Sequence, residues 1–301
     1  MNRQMNTTGP DRLHSRNSLR QEDPHQARQD HLLAVQQAAT SLQAEEDGRM
    51  APRRPLAVYY GPGALPTLAK FARVVVQPGH FTPEKVRWLQ RRNVQVLAYL
   101  SLGEDPGEDA PWHSGERNPD WNTALVDAAH PAWQAHIYNQ VAGAPEYDGY
   151  FLDTLDSASR NLRQTRAMLR LVRSVRHWAG VDSYLLANRG FSLLHRLRRV
   201  VNGVLIEPLS TTWAGSGQSG SYRIHTPQEL HYTEVLVNQA RRHRLDIYAL
   251  DYADTPALRR FAIERAADLG VSTFVTNREL SLPGGYTRVR PRELTGAWRK
   301  K

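Results

Sequence analysis

Two carboxylates follow an apolar run in the middle of the chain, within residues 147–157. Residues 149–152 are Gly-Tyr-Phe-Leu, a pattern typical of a short buried strand, and Asp153 and Asp156 come soon after it. A carboxylate at the end of a buried strand is costly unless it is paired or takes part in chemistry. Asp153 is therefore a candidate catalytic acid. The alternative is that it caps the next helix or pairs with a cationic side chain.

A further acid, Glu207, lies in a strongly apolar segment, residues 204–209. An apolar setting raises the pKa of a carboxyl group and helps it to keep a proton. Glycoside cleavage uses two carboxyl groups, one that protonates the departing oxygen and one that attacks the anomeric carbon or activates water. Asp153 and Glu207 could form such a pair. The alternative is that Glu207 forms a structural ion pair with Arg189.

From residue 55 onward, short apolar runs alternate with amphipathic helical segments, which is the pattern of βα units and a parallel sheet. Eight strands in about 230 residues predict an α/β protein built as a single (β/α)8 TIM barrel. An open doubly wound sheet is the alternative, but no Gly-x-Gly-x-x-Gly motif follows the first strand. The predicted strands are residues 56–60, 73–77, 94–101, 149–153, 184–188, 203–207, 246–251 and 271–276.

Proline marks the predicted starts of four of the intervening helices, at Pro83, Pro131, Pro227 and Pro256. Proline suits the first helical position because its missing N–H has no helical partner there and its φ is already helical. A fifth helix is predicted over residues 162–178, where apolar residues recur at helical spacing until Gly180.

Composition and charge limit the classes of function. The chain has 301 residues, a formal net charge of +9 and no cysteine, so disulfides, thiolate nucleophiles and cysteine-ligated metals are excluded. No stretch approaches the ~18 apolar residues of a membrane span. The basic charge suggests nucleic-acid binding, but the arginines are spread along helix faces without interleaved aromatic residues, which argues against it. Examples are Arg163, Arg166, Arg170, Arg173 and Arg176.

The ends of the chain differ from its centre. Residues 1–52 are rich in polar residues and predict a disordered N-terminal arm, with one marginal helix over residues 32–42. Residues 53–296 are the predicted barrel domain, and residues 297–301 are a basic tail. The arm lacks the basic start and apolar core of a secretory signal, so the chain as written is expected to stay in the cytoplasm.

A barrel carries its chemistry on the loops at the carboxyl ends of its strands. The residues at these ends are acidic, amide-bearing and aromatic, which suits a sugar. Carboxylates and amides bind hydroxyl or amino groups, and tyrosine rings pack on the apolar face of a pyranose. Besides the two candidate catalytic acids, the candidate substrate-binding residues are Tyr60, Tyr99, Ser101, Glu104, Asp156, Asn188, Asp251 and Tyr252.

Other chemistries lack their motifs. The sequence has no His-x-His or His-Glu-x-x-His zinc motif, and His80, His130 and His225 have no partners at ligand spacing. No metal and no cofactor are therefore predicted. A serine nucleophile would need a Gly-x-Ser-x-Gly elbow, which the sequence does not contain.

Eight segments of the chain carry a family pattern: residues 58–61, 74–78, 98–104, 149–157, 188–191, 204–209 with Trp213, 249–252 and 291–294. In this order they resemble the polygalactosaminidase-like glycoside hydrolases, the endo-α-1,4-galactosaminidase superfamily. The resemblance implies a (β/α)8 barrel and endo-type hydrolysis of α-1,4-linked galactosamine or N-acetylgalactosamine chains, such as Pel-type exopolysaccharide. It implies that Asp153 is the nucleophile or stabiliser and that Glu207 is the acid/base.

The resemblance also implies a polysaccharide partner and, because family members are usually exported, a secreted or periplasmic location. Residues 105–122 form a long acidic segment with Asp105, Glu108 and Asp109. If this segment folds over the groove, we expect it to favour a cationic, deacetylated polymer. Two alternatives stay open: a catalytically inactive barrel that binds polysaccharide, and a nucleic-acid-associated protein that uses the basic tail. The sequence leaves the oligomeric state open.

Overall fold

A computed structural model describes residues 54–216 and 219–285, in which thirteen strands form. In chain order they are β1 (Arg54–Tyr59), β2 (Phe71–Val76), β3 (Gln95–Ser101), β4 (Glu104–Asp105), β5 (His113–Asn118), β6 (Thr123–Val126), β7 (Gly149–Asp153), β8 (Tyr184–Asn188), β9 (Gly203–Ile206), β10 (Thr211–Ser216), β11 (Ser219–Ile224), β12 (Asp246–Tyr252) and β13 (Ser272–Thr276). Eight of them, β1, β2, β3, β7, β8, β9, β12 and β13, pair in this order, and every pair is parallel.

Seven α-helices connect these eight strands in the described part of the chain. They are α1 (Leu65–Leu68), α2 (Pro83–Gln90), α3 (Pro131–Ala142), α4 (Leu162–Ala179), α5 (Phe191–Leu197), α6 (Pro227–Arg242) and α7 (Pro256–Asp268). One helix lies between each pair of successive barrel strands, so the predicted (β/α)8 architecture is confirmed. The four proline starts are confirmed as well, since α2, α3, α6 and α7 each begin at the predicted proline.

The last barrel strand returns to the first. β13 lies beside β1, and the Tyr60 backbone N–H donates to the Leu280 carbonyl at 2.9 Å. The rings of Phe71 and Phe274 pack edge to face, with centroids 5.7 Å apart. These contacts nearly close the sheet into a barrel, which brings the carboxyl ends of all eight strands to one rim.

The apolar runs form the core of the barrel. β8 is buried at every residue, and β7 is buried at every residue except Asp153. Strands that are covered on both faces require such continuous apolar sequence. α4 covers them with one apolar face that includes Ala167, Met168 and Val172, and it begins after Asn161, whose side chain accepts a hydrogen bond from the Gln164 N–H.

Two additions to the barrel are not foreseen from the sequence. β4, β6 and β5 form a small antiparallel sheet after β3, within residues 104–126, and β10 pairs with β11 as a hairpin after β9. The strand β5 has the sequence His-Ser-Gly-Glu-Arg-Asn, which lacks the apolar alternation that marks a strand. Its pairing therefore comes from tertiary context, and part of the long acidic segment 105–122 forms strands.

Several sequence predictions fall outside the described residues. These are the N-terminal arm with its candidate helix over residues 32–42, the segment 291–294 and the basic tail 297–301. Within the described part of the chain, no helix combines the length and the apolar character that crossing a membrane requires.

Gly149, the first residue of β7, permits close packing against β8. A Cβ atom at this position would lie 2.6 Å from the Tyr184 backbone nitrogen. We expect Gly149→Ala to lower the free energy of unfolding by about 2–3 kcal/mol, because one of the two strands must shift. Urea unfolding followed by circular dichroism measures the change. At Gly79 a Cβ would meet no atom within 4 Å, so Gly79→Ala is the control, and equal losses in the two variants would contradict the packing argument.

Candidate active site

The candidate catalytic residues lie at the carboxyl ends of four consecutive barrel strands. Asp153 is the last residue of β7, Asn188 is the last of β8, Glu207 directly follows β9, and Tyr252 is the last of β12. Parallel strands end at the same rim, so these side chains converge there. The structure thus brings together four of the residues that the sequence analysis places at the rim.

The two acids share one hydrogen-bond donor. The Asn188 amide nitrogen donates to Asp153 Oδ1 at 2.8 Å and to Glu207 Oε2 at 2.6 Å. These two carboxylate oxygens are therefore at most the sum of the two distances apart, 5.4 Å. The other amide atom, Asn188 Oδ1, is buried and has no hydrogen-bond partner among the described residues. Asn188 thus uses both N–H bonds to hold the two acids side by side.

Asp153 accepts two further hydrogen bonds. Tyr99 donates its hydroxyl to Asp153 Oδ2 at 2.8 Å, and the Thr154 backbone N–H donates to Oδ1 at 2.7 Å. Burial raises the pKa of the Asp153 carboxyl above its ordinary value, while the hydrogen bonds from Tyr99, Asn188 and Thr154 favour the ionised form. Asp153 is thus the acid of the pair that is better stabilised as a carboxylate.

Glu207 is the acid that keeps a proton more readily. Burial and then the charge of Asp153 raise the pKa of Glu207 to about 7, although hydrogen bonds from Tyr252 and Asn188 oppose this shift. Tyr252 donates its hydroxyl to Glu207 Oε1. Two carboxylates this close do not both ionise readily, and the raised pKa makes Glu207 the acid of the pair that binds a proton more readily.

Arg189 links Asp156 to the main chain at Glu207. Its Nε lies 3.0 Å from Asp156 Oδ2, and its Nη1 donates to the Glu207 carbonyl oxygen at 2.8 Å. Arg189 therefore binds the backbone of Glu207 and leaves the carboxyl group to Asn188 and Tyr252. The sequence allows an ion pair between Glu207 and Arg189, but Arg189 pairs with Asp156 instead.

Aromatic rings line the site beside the two acids. Tyr60 follows β1, and its ring packs edge to face on Tyr99, with centroids 5.1 Å apart. Burial, and then the neighbouring groups Tyr99, Asp153 and Glu207, raise the pKa of Tyr60 well above its ordinary value. Tyr60 is therefore a neutral hydroxyl close to both acids, and its role in sugar binding stays a prediction.

Glu104 has a different environment from the one the sequence suggests. Its carboxylate is buried and accepts hydrogen bonds from Asn118 Nδ2 at 3.1 Å, Thr123 Oγ1 at 2.5 Å and Ser157 Oγ at 3.0 Å. These donors belong to the small sheet and to the loop after β7. Glu104 thus joins the two segments and supports the rim, and its role in substrate binding stays a prediction.

Asp251 is likewise hydrogen-bonded to protein donors. It is fully buried and accepts hydrogen bonds from the backbone N–H groups of Ser210 and Thr211, at 2.5 and 2.9 Å, and from Thr273 Oγ1 at 2.7 Å. Burial raises the pKa of Asp251 to about 6. Its oxygens are occupied at the base of the β10–β11 hairpin, so Asp251 supports that hairpin, and its role in substrate binding stays a prediction.

Thr154, which the sequence analysis missed, organises the loop beneath the acids. Its hydroxyl accepts from the Gly103 N–H at 2.7 Å and lies 3.0 Å from Ser101 Oγ, while its backbone has a left-handed φ of 61°. A left-handed threonine is strained and is kept only where its surroundings hold it. Ser101, expected to bind substrate, instead donates to the Glu104 carbonyl at 2.6 Å. The sequence signal for the contact between Thr154 and Gly103 is the glycine itself, because a Cβ atom at position 103 would meet the Thr154 carbonyl oxygen.

The three named acids of the segment after β3 differ in their environments. Asp105 is buried and binds Trp112 Nε1 at 2.7 Å and His113 Nε2 at 2.9 Å. Glu108 and Asp109 remain exposed. Among the described residues, no group of three or more His, Asp or Glu side chains is arranged to hold a metal ion.

The chain is similar to known glycoside hydrolases in sequence and fold. The profile described as Glycoside-hydrolase family GH114 matches residues 43–295. The chain belongs to family GH114. The solved glycoside hydrolase domain of PelA from Pseudomonas aeruginosa is similar to this GH114 chain at 29% identity, covering 76% of this chain and 96% of that domain with a TM-score of 0.69.

A second solved structure shares the fold of this GH114 protein. Aspergillus fumigatus Ega3 in complex with galactosamine is 11% identical, covers 77% of this chain and 95% of Ega3, and has a TM-score of 0.57. No curated protein sequence matches the chain. The family resemblance inferred from the eight sequence segments is confirmed, and with it the class of glycoside hydrolase.

The hydrogen bond from Tyr252 affects the pKa of Glu207. It stabilises the ionised form of Glu207, so we expect Tyr252→Phe to raise the Glu207 pKa from about 7 by about one pH unit. Carbon-13 NMR titration of side-chain-labelled glutamate measures the pKa, with Glu207→Gln assigning the signal. Tyr150→Phe is the control, because the Tyr150 hydroxyl donates to the Val141 carbonyl away from the acids. An unchanged or lowered Glu207 pKa in Tyr252→Phe would contradict the assignment.

Proposed function

We propose that this GH114 protein is a retaining endo-glycosidase that cuts α-1,4-linked galactosamine or N-acetylgalactosamine polysaccharide of the Pel type. The observation that carries the proposal is the single Asn188 nitrogen between Asp153 and Glu207, which limits the separation of their nearest oxygens to 5.4 Å. Retaining glycosidases have carboxyl groups ~5–5.5 Å apart, whereas inverting enzymes need ~6.5–9.5 Å to admit a water molecule.

The unequal environments of the two acids supply the two roles of the first step. Glu207, with its pKa raised to about 7, donates its proton to the glycosidic oxygen as the bond from that oxygen to the anomeric carbon breaks. Asp153, held as a carboxylate by three hydrogen-bond donors, attacks the anomeric carbon. The products are a shortened chain with a free hydroxyl and a sugar esterified to Asp153.

The second step reverses the roles. Glu207, now ionised, takes a proton from a water molecule, and the water oxygen attacks the anomeric carbon while Asp153 departs as a carboxylate. Two inversions leave the anomeric configuration unchanged. The donors Asn188 and Tyr252 stabilise the charge on Glu207 between the steps without having to reorganise, which is the electrostatic contribution that a preorganised site makes.

The choice of substrate rests on similarity and on the chemistry of the rim. Ega3, which shares the fold, has been solved with galactosamine. The eight sequence segments resemble polygalactosaminidase-like enzymes, and Tyr60 and Tyr99 offer rings beside the acids for the apolar face of a sugar. Action on an exopolysaccharide implies that the protein works after export, in the periplasm or outside the cell.

Substitution of each acid tests the proposal. We expect wild-type protein to release oligosaccharides from a partly N-acetylated α-1,4-galactosamine polymer. Asp153→Asn and Glu207→Gln should each lower the rate by about a thousandfold or more, because each removes one of the two chemical roles. Reducing-end assays give the rate, and mass spectrometry of the products gives their length and anomeric end groups.

Asp254→Asn is the matched control, since Asp254 is an exposed carboxylate on the loop after β12. It should retain at least half of the wild-type rate, and all variants should keep the wild-type circular dichroism spectrum. Full activity in Asp153→Asn would refute the assignment of the nucleophile. Binding of the polymer by wild-type protein without any product would instead favour an inactive polysaccharide-binding barrel.

A further inference from the structure

We propose that the indole of Trp121 is a sugar-stacking platform, a subsite that binds the polysaccharide chain away from the bond that is cut. This inference rests on the proposed function, because it assigns a second contact for the same substrate. Trp121 lies in the turn between β5 and β6 and is 57% exposed. An exposed indole offers a flat apolar surface that suits a ligand with an apolar face.

The guanidinium of Arg278 fixes the position of Trp121. The Arg278 Cζ atom lies 4.6 Å from the Trp121 ring centroid, and its Nη2 donates to the Asp120 carbonyl at 3.2 Å. One face of the indole is therefore covered by the cation. Since more than half of the residue is still exposed, the opposite face is open to solvent.

Arg278 also binds the hairpin on another side of the mouth. Its Cζ atom lies 5.4 Å from the Trp213 ring centroid, and its backbone N–H donates to the Tyr222 hydroxyl at 3.1 Å. The rings of Trp213 and Tyr222 pack edge to face, with centroids 5.0 Å apart. We call Trp121, Trp213, Tyr222 and Arg278 the mouth cluster.

The topology of the barrel places the mouth cluster over the rim. Trp121 belongs to the addition after the third barrel strand, Trp213 and Tyr222 to the hairpin after the sixth, and Arg278 to the loop after the eighth. These strands are not neighbours in the sheet, so the contacts of Arg278 with Trp121 and Trp213 extend across part of the barrel mouth. It lies on the carboxyl-end face, where Asp153 and Glu207 also lie.

The mouth cluster is distinct from the catalytic pair. The hydrogen bonds to Asp153 and Glu207 come from Tyr99, Thr154, Asn188 and Tyr252, and none of these donors belongs to the mouth cluster. We therefore assign the sugar stacked on Trp121 to a subsite other than that of the sugar that reacts. A polymer long enough to reach both positions gains the stacking contact, whereas a short oligosaccharide in the catalytic site does not.

The other tryptophan of the same addition has a different role. Trp112 packs on Trp133 and His136, with ring centroids 5.7 and 5.3 Å away, and its Nε1 donates to Asp105. Trp112 therefore anchors the addition to α3. The same addition thus contains two tryptophans with different environments. Trp112 packs against α3, whereas Trp121 is exposed in the mouth cluster.

Binding measurements in the Asp153→Asn background test the platform without degradation of the ligand. We expect Trp121→Ala to weaken the affinity for an α-1,4-galactosamine polymer by about three- to tenfold and to leave the affinity for a trisaccharide unchanged. Trp121→Phe should retain most of the polymer affinity because it keeps a flat ring. Isothermal titration calorimetry measures both ligands.

Tyr232→Ala is the matched control, because Tyr232 is a 51% exposed aromatic residue on the outer helix α6. The platform is refuted if Trp121→Ala affects polymer binding no more than Tyr232→Ala, if it weakens the trisaccharide equally, or if the Asp153→Asn protein binds no polymer. The proposed function fails separately, when wild-type protein binds the polymer and does not cut it. In that case a Trp121-dependent affinity for the polymer would still support the platform.

Discussion

A single amide nitrogen between two buried carboxyl groups is the constraint on which the site depends. Asn188 has two N–H bonds and gives one to Asp153 and one to Glu207. This arrangement sets the spacing of the acids, and burial makes their double ionisation unfavourable. Asp153 accepts two more hydrogen bonds, from Tyr99 and Thr154, and Glu207 accepts one more, from Tyr252, which makes the two acids unequal. Spacing and inequality together are what a retaining mechanism needs.

The barrel provides the rigidity that this constraint requires. β8 is buried at all five residues and lies between β7 and β9, so Asn188 is held between the strands that carry the two acids. Directly after β7 and β8, Thr154 and Arg189 have left-handed backbones, with φ of 61° and 54°. Strained residues of this kind persist where the surrounding contacts determine them. Here the strain lies in the two turns that follow Asp153 and Asn188.

The sequence predicts the barrel and the central residues because both depend on local pattern. Asp153, Asn188 and Glu207 each end an apolar run, and eight such runs imply one rim. The sequence says less where the environment of a side chain depends on strand alternation or on partners far along the chain. Asp251 and Tyr252 are consecutive in β12, so they point to opposite faces, and Tyr252 alone reaches the acids. The Glu104 carboxylate accepts a hydrogen bond from Ser157, 53 positions later in the chain, and no local sequence pattern encodes such a contact.

Trapping of a covalent intermediate is the most direct test of the central claim, that Asp153 and Glu207 act as nucleophile and acid/base of a retaining glycosidase. A 5-fluoro-α-galactosaminyl fluoride has a good leaving group, and its ring fluorine slows breakdown of the ester. The account predicts one sugar per protein molecule by intact-mass spectrometry, on the peptide that contains Asp153. An adduct on a different residue, or turnover with inverted anomeric configuration and no adduct, would contradict it.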